Sequence, residues 1–174
     1  LAPRAETQAS LSMFLPENQR EFVFSPAGNG KVDGRQALMI DYRPRDAGKP
    51  GISWKDGKDD CLSWDIAGRY KGRVWVDPET ADVLRLEYHL AGMIDFDIPK
   101  HPKRYEQMER ITVERLDTTI KFRRVAFSNP DESLVLPASQ ESVTVVRSSS
   151  FASNRITQDF KNYRRFMTDI RIVQ

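Results

Sequence analysis

The sequence predicts a mainly β (α+β) protein: a short N-terminal helix, then about eight strands joined locally into one strongly curved antiparallel sheet or a sandwich. Three observations carry that expectation. Period-two alternation recurs along the chain, most clearly where Leu84, Leu86, Tyr88 and Leu90 share one parity and Arg85, Glu87 and His89 the other. Clusters of Gly, Pro, Asn and Asp punctuate the extended segments at short intervals. No helical periodicity alternates with the strands, which excludes a doubly wound α/β fold.

Taken in order, residues 7–15 have helical propensity and end at Pro16, because the residue before a proline is pushed out of the helical region. Residues 21–24 read as a strand and 37–42 as its return, across a turn rich in Pro26, Gly28 and Gly30 with Asp33-Gly34 beyond it. Residues 43–60 read as a long polar loop, and 61–66 as another strand. The hairpin of 72–76 and 83–90 is built around Asp77-Pro78-Glu79-Thr80, where Pro presets φ and Asp can bond its own downstream backbone. Residues 91–108, with Gly92, Pro99 and Pro102, read as a crossover loop. Residues 111–127 are extended, with a turn or a bulge at Asp117-Thr118-Thr119, and Asn129-Pro130-Asp131-Glu132 is a turn. Residues 134–136 resume a strand that Pro137 breaks or places at an edge, and 142–147 with 155–166 close a last hairpin around Ser148-Ser149-Ser150.

Composition excludes several classes. The 174 residues suit a single domain spanning 1–174, large enough to bury roughly 70% of its unfolded surface without a disulfide or a metal. One cysteine cannot form an internal disulfide, and no apolar run reaches a membrane-spanning length. With 27 basic against 25 acidic residues, the chain is no obvious nucleic-acid binder. The balance is −2 over residues 1–100 and +4 over 101–174, too mild for a polybasic surface. Lys121-Phe122-Arg123-Arg124 and Tyr163-Arg164-Arg165-Phe166 interleave cations with aromatics, a pairing that suits nucleic acid or anionic headgroups. The mild charge favours the plainer account, in which strand alternation puts the cations on the solvent face and the aromatics in the core. A chain that begins at Leu1 rather than Met reads as a mature or trimmed form.

Catalytic and metal motifs are sparse. There is no phosphate-binding glycine loop, nucleophile elbow or zinc-type Cys/His pairing. The two histidines, His89 on a polar strand face and His101 in a Pro-rich loop, lack an evident orienting partner. Asp95 and Asp97 beside Asp82 or Glu87 invite a calcium reading, as do Asp56, Asp59 and Asp60. Both groups lack the glycine and closing glutamate of a calcium loop and read as solvated acidic loops. Cys61 reads as a half-buried structural thiol, and Trp54, Trp64 and Trp75 as core or edge packing. The sequence assigns no catalytic residue, metal or cofactor. Its main functional hint is an apolar sheet face that one short helix is too small to cover; the competing reading is a closed barrel or sandwich in which that face is simply core.

Gly72-Arg73-Val74-Trp75-Val76-Asp77-Pro78-Glu79-Thr80 followed by Val83-Leu84-Arg85-Leu86 resembles a hairpin of bacterial envelope proteins of the LolA/LolB/RseB-like kind. Leu134-Val135-Leu136-Pro137-Ala138-Ser139 resembles another of their strands. Phe160-Lys161-Asn162-Tyr163-Arg164-Arg165-Phe166 resembles the ending of related secreted proteins. The resemblance covers residues 68–166. It implies an unclosed half-barrel holding an apolar ligand, a periplasmic or secreted location, a lipoprotein-sorting-like carrier or sensor role without enzymatic activity, and a domain trimmed at its N-terminus. The expected function is therefore the binding of a lipid or lipidated partner on the concave face, lined by Val74, Val76, Leu84, Leu86, Tyr88, Ile120 and Phe122. The alternatives are a small half-barrel enzyme using Glu87, Tyr88 or His89, and an envelope module that pairs through a sheet edge.

Overall fold

The computed structural model describes residues 11–55, 61–66, 68–99, 110–128, 131–148 and 152–164. Among them are ten strands: β1 (Phe22–Val32), β2 (Arg35–Pro44), β3 (Gly51–Lys55), β4 (Cys61–Asp65), β5 (Tyr70–Val76), β6 (Val83–Leu90), β7 (Ile94–Asp97), β8 (Arg110–Phe127), β9 (Glu132–Arg147) and β10 (Asn154–Asp159). The main sheet runs β1-β2-β5-β6-β8-β9-β10, with β7 also paired to β8, and every pairing is antiparallel. Among the described residues it is not closed, and β1 and β10 are the edge strands at the two ends of that order. Strands β3 and β4 form a separate hairpin.

Among the described residues helix is nearly absent. Where the sequence predicts an N-terminal helix, the described part holds only two 3-10 turns, Ser12–Phe14 and Gln19–Glu21. Pro16 and the short span leave no room for the three or four turns that make a helix independently favourable. Residues 7–10 lie outside the described residues.

Three further departures have physical causes. Strand β1 runs straight through Pro26 and Gly28, absorbing them as a bulge between Pro26 and Asn29, so the turn is the two residues Asp33-Gly34. Both have positive φ (47° and 86°), the geometry that twists a tight hairpin correctly. The expected loop at 91–108 contains β7, whose Ile94 and Phe96 are buried while Asp95 and Asp97 face out. Strands β6 and β7 pair successively with β8, at His89↔Asp117 and then Ile94↔Val113, so they act as one strand interrupted at residues 91–93. Residues 51–55 are likewise strand rather than loop.

Strand β8 is continuous through Asp117-Thr118-Thr119, with its irregularity at Glu114 instead, and β9 is continuous through Pro137. Pro137 is tolerated because β10 pairs β9 only over residues 139–144, which leaves Pro137 with no ladder bond to donate on that side.

The hairpin of β5 and β6 carries the finding that matters most for the site. Trp75 pairs with Arg85 but Val76 pairs with Val83, so Leu84 is an extra residue in the ladder. This bulge turns Leu84 away from Leu86 and into a small cluster with Val32, Ala37, Met39 and Trp75. The connection is tied by Asp77, whose Oδ1 accepts the backbone N–H of Glu79 (2.9 Å) and Thr80 (3.2 Å). Those bonds, with the Arg35 guanidinium, hold its carboxyl below the usual range. Ala81 closes the turn at φ 58°.

Close approach makes Gly72 obligatory. A Cβ there would lie 1.9 Å from the Glu87 carbonyl oxygen and 2.7 Å from the Tyr42 hydroxyl, which itself donates to that carbonyl at 3.1 Å. Gly72→Ala is expected to cost roughly 3 kcal/mol in urea unfolding, since the clash is with backbone and cannot be relieved by a rotamer. Ala81→Gly should instead raise stability by about 0.5–1 kcal/mol in the same measurement, because it relieves a left-handed alanine.

Candidate functional site

Alternation sorts the sheet into an inner apolar and an outer polar face. On the inner face Met13, Tyr42, Val74, Leu86, Ile120 and Phe122 form one buried cluster, with Phe14, Phe22, Phe24, Ile40, Val76, Val83 and Tyr88 half-buried against it. Six of the seven residues expected to line a ligand face therefore come together: Val74, Val76, Leu86, Tyr88, Ile120 and Phe122. Leu84 does not, for the reason given above. Val74 and Leu86 are fully buried and Ile120 is 1% exposed, so the chain's own atoms cover them. Part of that cover is Met13 and Phe14, whose ring lies 5.8 Å from Phe24 and 6.5 Å from Tyr42. The accessible apolar surface of this face is Leu38, 45% exposed beside Val76, and the half-buried rim that includes Phe22, Phe24, Val76 and Tyr88.

A second cluster (Ile66, Leu90, Ile94, Phe96 and Val113) continues the buried core beside β7. The β3–β4 hairpin caps it: Trp64 stacks on Phe96 at 6.2 Å, and Trp54 Nε1 donates to the Pro99 carbonyl at 2.8 Å. Trp64 and Trp75 are thus packing residues; Trp75 is buried beneath Arg85, whose guanidinium lies 4.8 Å from its ring.

Beyond the middle of β8 the inner face is polar, although towards the two ends of β9 Val135 packs on the first cluster and Val146 is buried opposite Val113. The register sets Gln140 beside Ile120 and Ser142 beside Thr118. Thr118 and Ser142 hydroxyls are 3.0 Å apart, and Gln140 Nε2 donates to Ser142 Oγ at 3.3 Å. Gln140 is 4% exposed, yet among the described residues its Oε1 has no hydrogen-bond partner. A buried amide oxygen left unpaired costs about 1–3 kcal/mol. Sequence reasoning missed this group entirely, since Gln140 is one polar residue in an alternating strand and only the register sets it against Ile120.

The outer face carries a shallow, half-open depression of about 380 Å³ above Trp75, walled by Asp41, Arg43, Lys71, Arg73, Glu87 and His89. Arg73 bonds Asp41 with both arms, Nε to Oδ1 at 2.6 Å and NH2 to Oδ2 at 3.0 Å. That pairing holds the Asp41 carboxyl below its usual range and raises the guanidinium. Glu87 is engaged by Arg85. Glu87 and His89 thus lie on the face opposite Tyr88, whose ring meets Tyr70 edge-on at 5.5 Å. The three polar groups do not converge, and no hydrogen bond orients the exposed His89 among the described residues.

The acidic residues are similarly dispersed. Asp95 accepts from Thr112 Oγ1 at 2.6 Å, Asp97 pairs with Arg110 at 3.0 Å, and Asp82 is held by Arg124 at 2.7 Å. Among the described residues, no three His, Cys, Asp or Glu side chains are grouped to hold a metal. His101, Asp56, Asp59, Asp60 and the Cys61 side chain lie outside the described residues. Among the described residues no helix is long and apolar enough to cross a membrane.

Fold and faces together define an open, all-antiparallel sheet protein with one apolar side. No protein-family model matches the chain, and neither a curated protein nor a solved structure matches it.

Burial raises the Tyr42 and Tyr70 phenols well above the ordinary value of 10.0, and Tyr88 acts on both in the same sense, joined at Tyr70 by Asp65. The folded state keeps these phenols neutral while an unfolded chain would ionise them. Their contribution to stability is therefore intact below pH 10 and is lost as pH rises beyond it. Spectrophotometric titration should show Tyr42 and Tyr70 ionising only together with alkaline unfolding; two phenols titrating near pH 10 in Tyr→Phe difference spectra of the folded protein would refute the burial assignment.

Proposed function

We propose that this is a non-enzymatic binding protein of the cell envelope that holds an apolar ligand, a lipid or a lipidated partner, on the inner face of a sheet curved into a half-barrel. The observation that carries the reading is the unpaired Gln140 Oε1. It sits where a row of apolar side chains crossing the sheet, Ile40, Val74, Leu86 and Ile120, reaches its end. A ligand resting its chain on the half-buried rim over that covered row would donate a hydroxyl or carboxyl proton to Gln140 at the row's end. The unclosed sheet supports the same reading, as does the resemblance to envelope carriers, which would imply a periplasmic or secreted location.

The test uses a naphthylamine fluorophore displaced by a fatty alcohol or by an alkane of equal length. Gln140→Leu removes a buried unsatisfied group, so the fold should be retained or strengthened. Affinity for the alcohol should fall roughly fivefold, the worth of about 1 kcal/mol, while alkane affinity stays unchanged. Equal behaviour of both ligands in parent and variant would remove Gln140 from the site. A parent protein that binds neither fluorophore nor lipid would overturn the reading as a whole.

A further inference from the structure

The two edges of the sheet are treated differently. Edge strand β1 carries three devices that block further pairing: Pro26, which has no N–H to donate, a bulge after it with Gly28 at φ 88°, and the exposed Lys31. Edge strand β10 has none of them. It pairs β9 in unbroken register from Asn154↔Thr144 to Asp159↔Ser139, contains no proline or glycine, and among the described residues no strand covers its other side. Arg155, Thr157, Gln158 and Asp159 are exposed.

The pattern along this edge is its own complement. Turned about a two-fold axis at Thr157, a second β10 sets Arg155 opposite the other copy's Asp159, and Asp159 opposite the other copy's Arg155. Thr157 then faces Thr157, and Ile156 faces Gln158. The outward side chains of Arg155, Thr157 and Asp159 share one face, so both ion pairs form on that face without moving the backbone. Because the axis passes through a residue rather than between two, the ladder closes whichever alternate N–H and C=O groups of β10 point outward. Arg155 already bonds Glu141 of β9 at 2.7 Å, which holds its guanidinium on this face; Asp159 lies 3.9 Å from Lys161.

We propose that two copies of this chain pair edge to edge through β10, joining their sheets into one continuous antiparallel sheet with isologous symmetry. The interface is short, so the dimer is reversible and dilution dissociates it. The proposal is independent of what the inner face binds, because it rests on the edge alone.

Sedimentation velocity of the full chain across a concentration series tests it. The expected result is a monomer–dimer equilibrium. Asp159→Arg sets two arginines against each other twice over, and should weaken the dimer about tenfold or more. Arg155→Asp should do the same with opposite charge. Mixing the two variants restores complementarity, so a heterodimer should form at concentrations where each variant alone is monomeric, which also shows that both are folded. A parent chain that stays monomeric at every concentration, its edge taken by another segment or left bare, would overturn the proposal. So would a dimer indifferent to Asp159→Arg, or two variants that fail to associate when mixed.

Discussion

Pairing along β8 is the interaction on which the rest of the sheet depends. Its 18 residues give one edge to β6 and then to β7, and the other edge to β9 for nearly its whole length. Ile120 and Phe122 at one end belong to the first apolar cluster, and Val113 at the other to the second. The strand is therefore the single backbone on which both cores are registered, and a slip by one residue would expose each of them at once. Irregularities near Glu114 and Ala138 take up the mismatch between partners of different length without reversing the faces.

Energetically the two faces are unequal. Fully burying side chains such as Leu86, Ile120 and Val74 contributes about 2–3 kcal/mol each, whereas half-exposed ion pairs like Arg73–Asp41 are worth about 0–1 kcal/mol. The outer lattice of Asp41, Arg73, Glu87 and Arg85 nevertheless specifies pairing. Arg73 sits opposite both Asp41 and Glu87, and a shifted register would bring like charges together. The depression above Trp75 is a by-product of that lattice, in which each carboxylate already has a guanidinium partner.

Much of this was legible from residue order alone. The β5–β6 hairpin, the strand character of the chain and the grouping of Val74, Val76, Leu86, Tyr88, Ile120 and Phe122 all follow from period-two alternation. Leu84 did not, because a bulge keeps sequence parity while reversing the side chain, and an apolar residue suits the Trp75 side equally well. Strand β7 was hidden by its length, four residues between Gly92 and Pro99. Of the helix expected before Pro16, the described residues form one 3-10 turn, because propensity over so few residues cannot offset the cost of nucleation. Gln140 was invisible for a different reason: its importance lies in its cross-strand neighbour, and register is a property of two strands, not one.

Openness links these features. Closing the sheet into a barrel would require β1 to meet β10, and both ends oppose it. Pro26 and the bulge deprive β1 of a regular ladder, and the inner side of β9 and β10 sets Gln140, Ser142 and Gln158 around the single apolar Ile156. Burying those amides and hydroxyls in a closed lumen would leave further groups in the condition of Gln140 Oε1, each at a cost comparable to a lost hydrogen bond. The sheet therefore stays open for a reason written into its last two strands. The same polar ending stops the apolar row at Gln140 and leaves the regular edge of β10 facing outward, so face and edge are two results of one refusal to close.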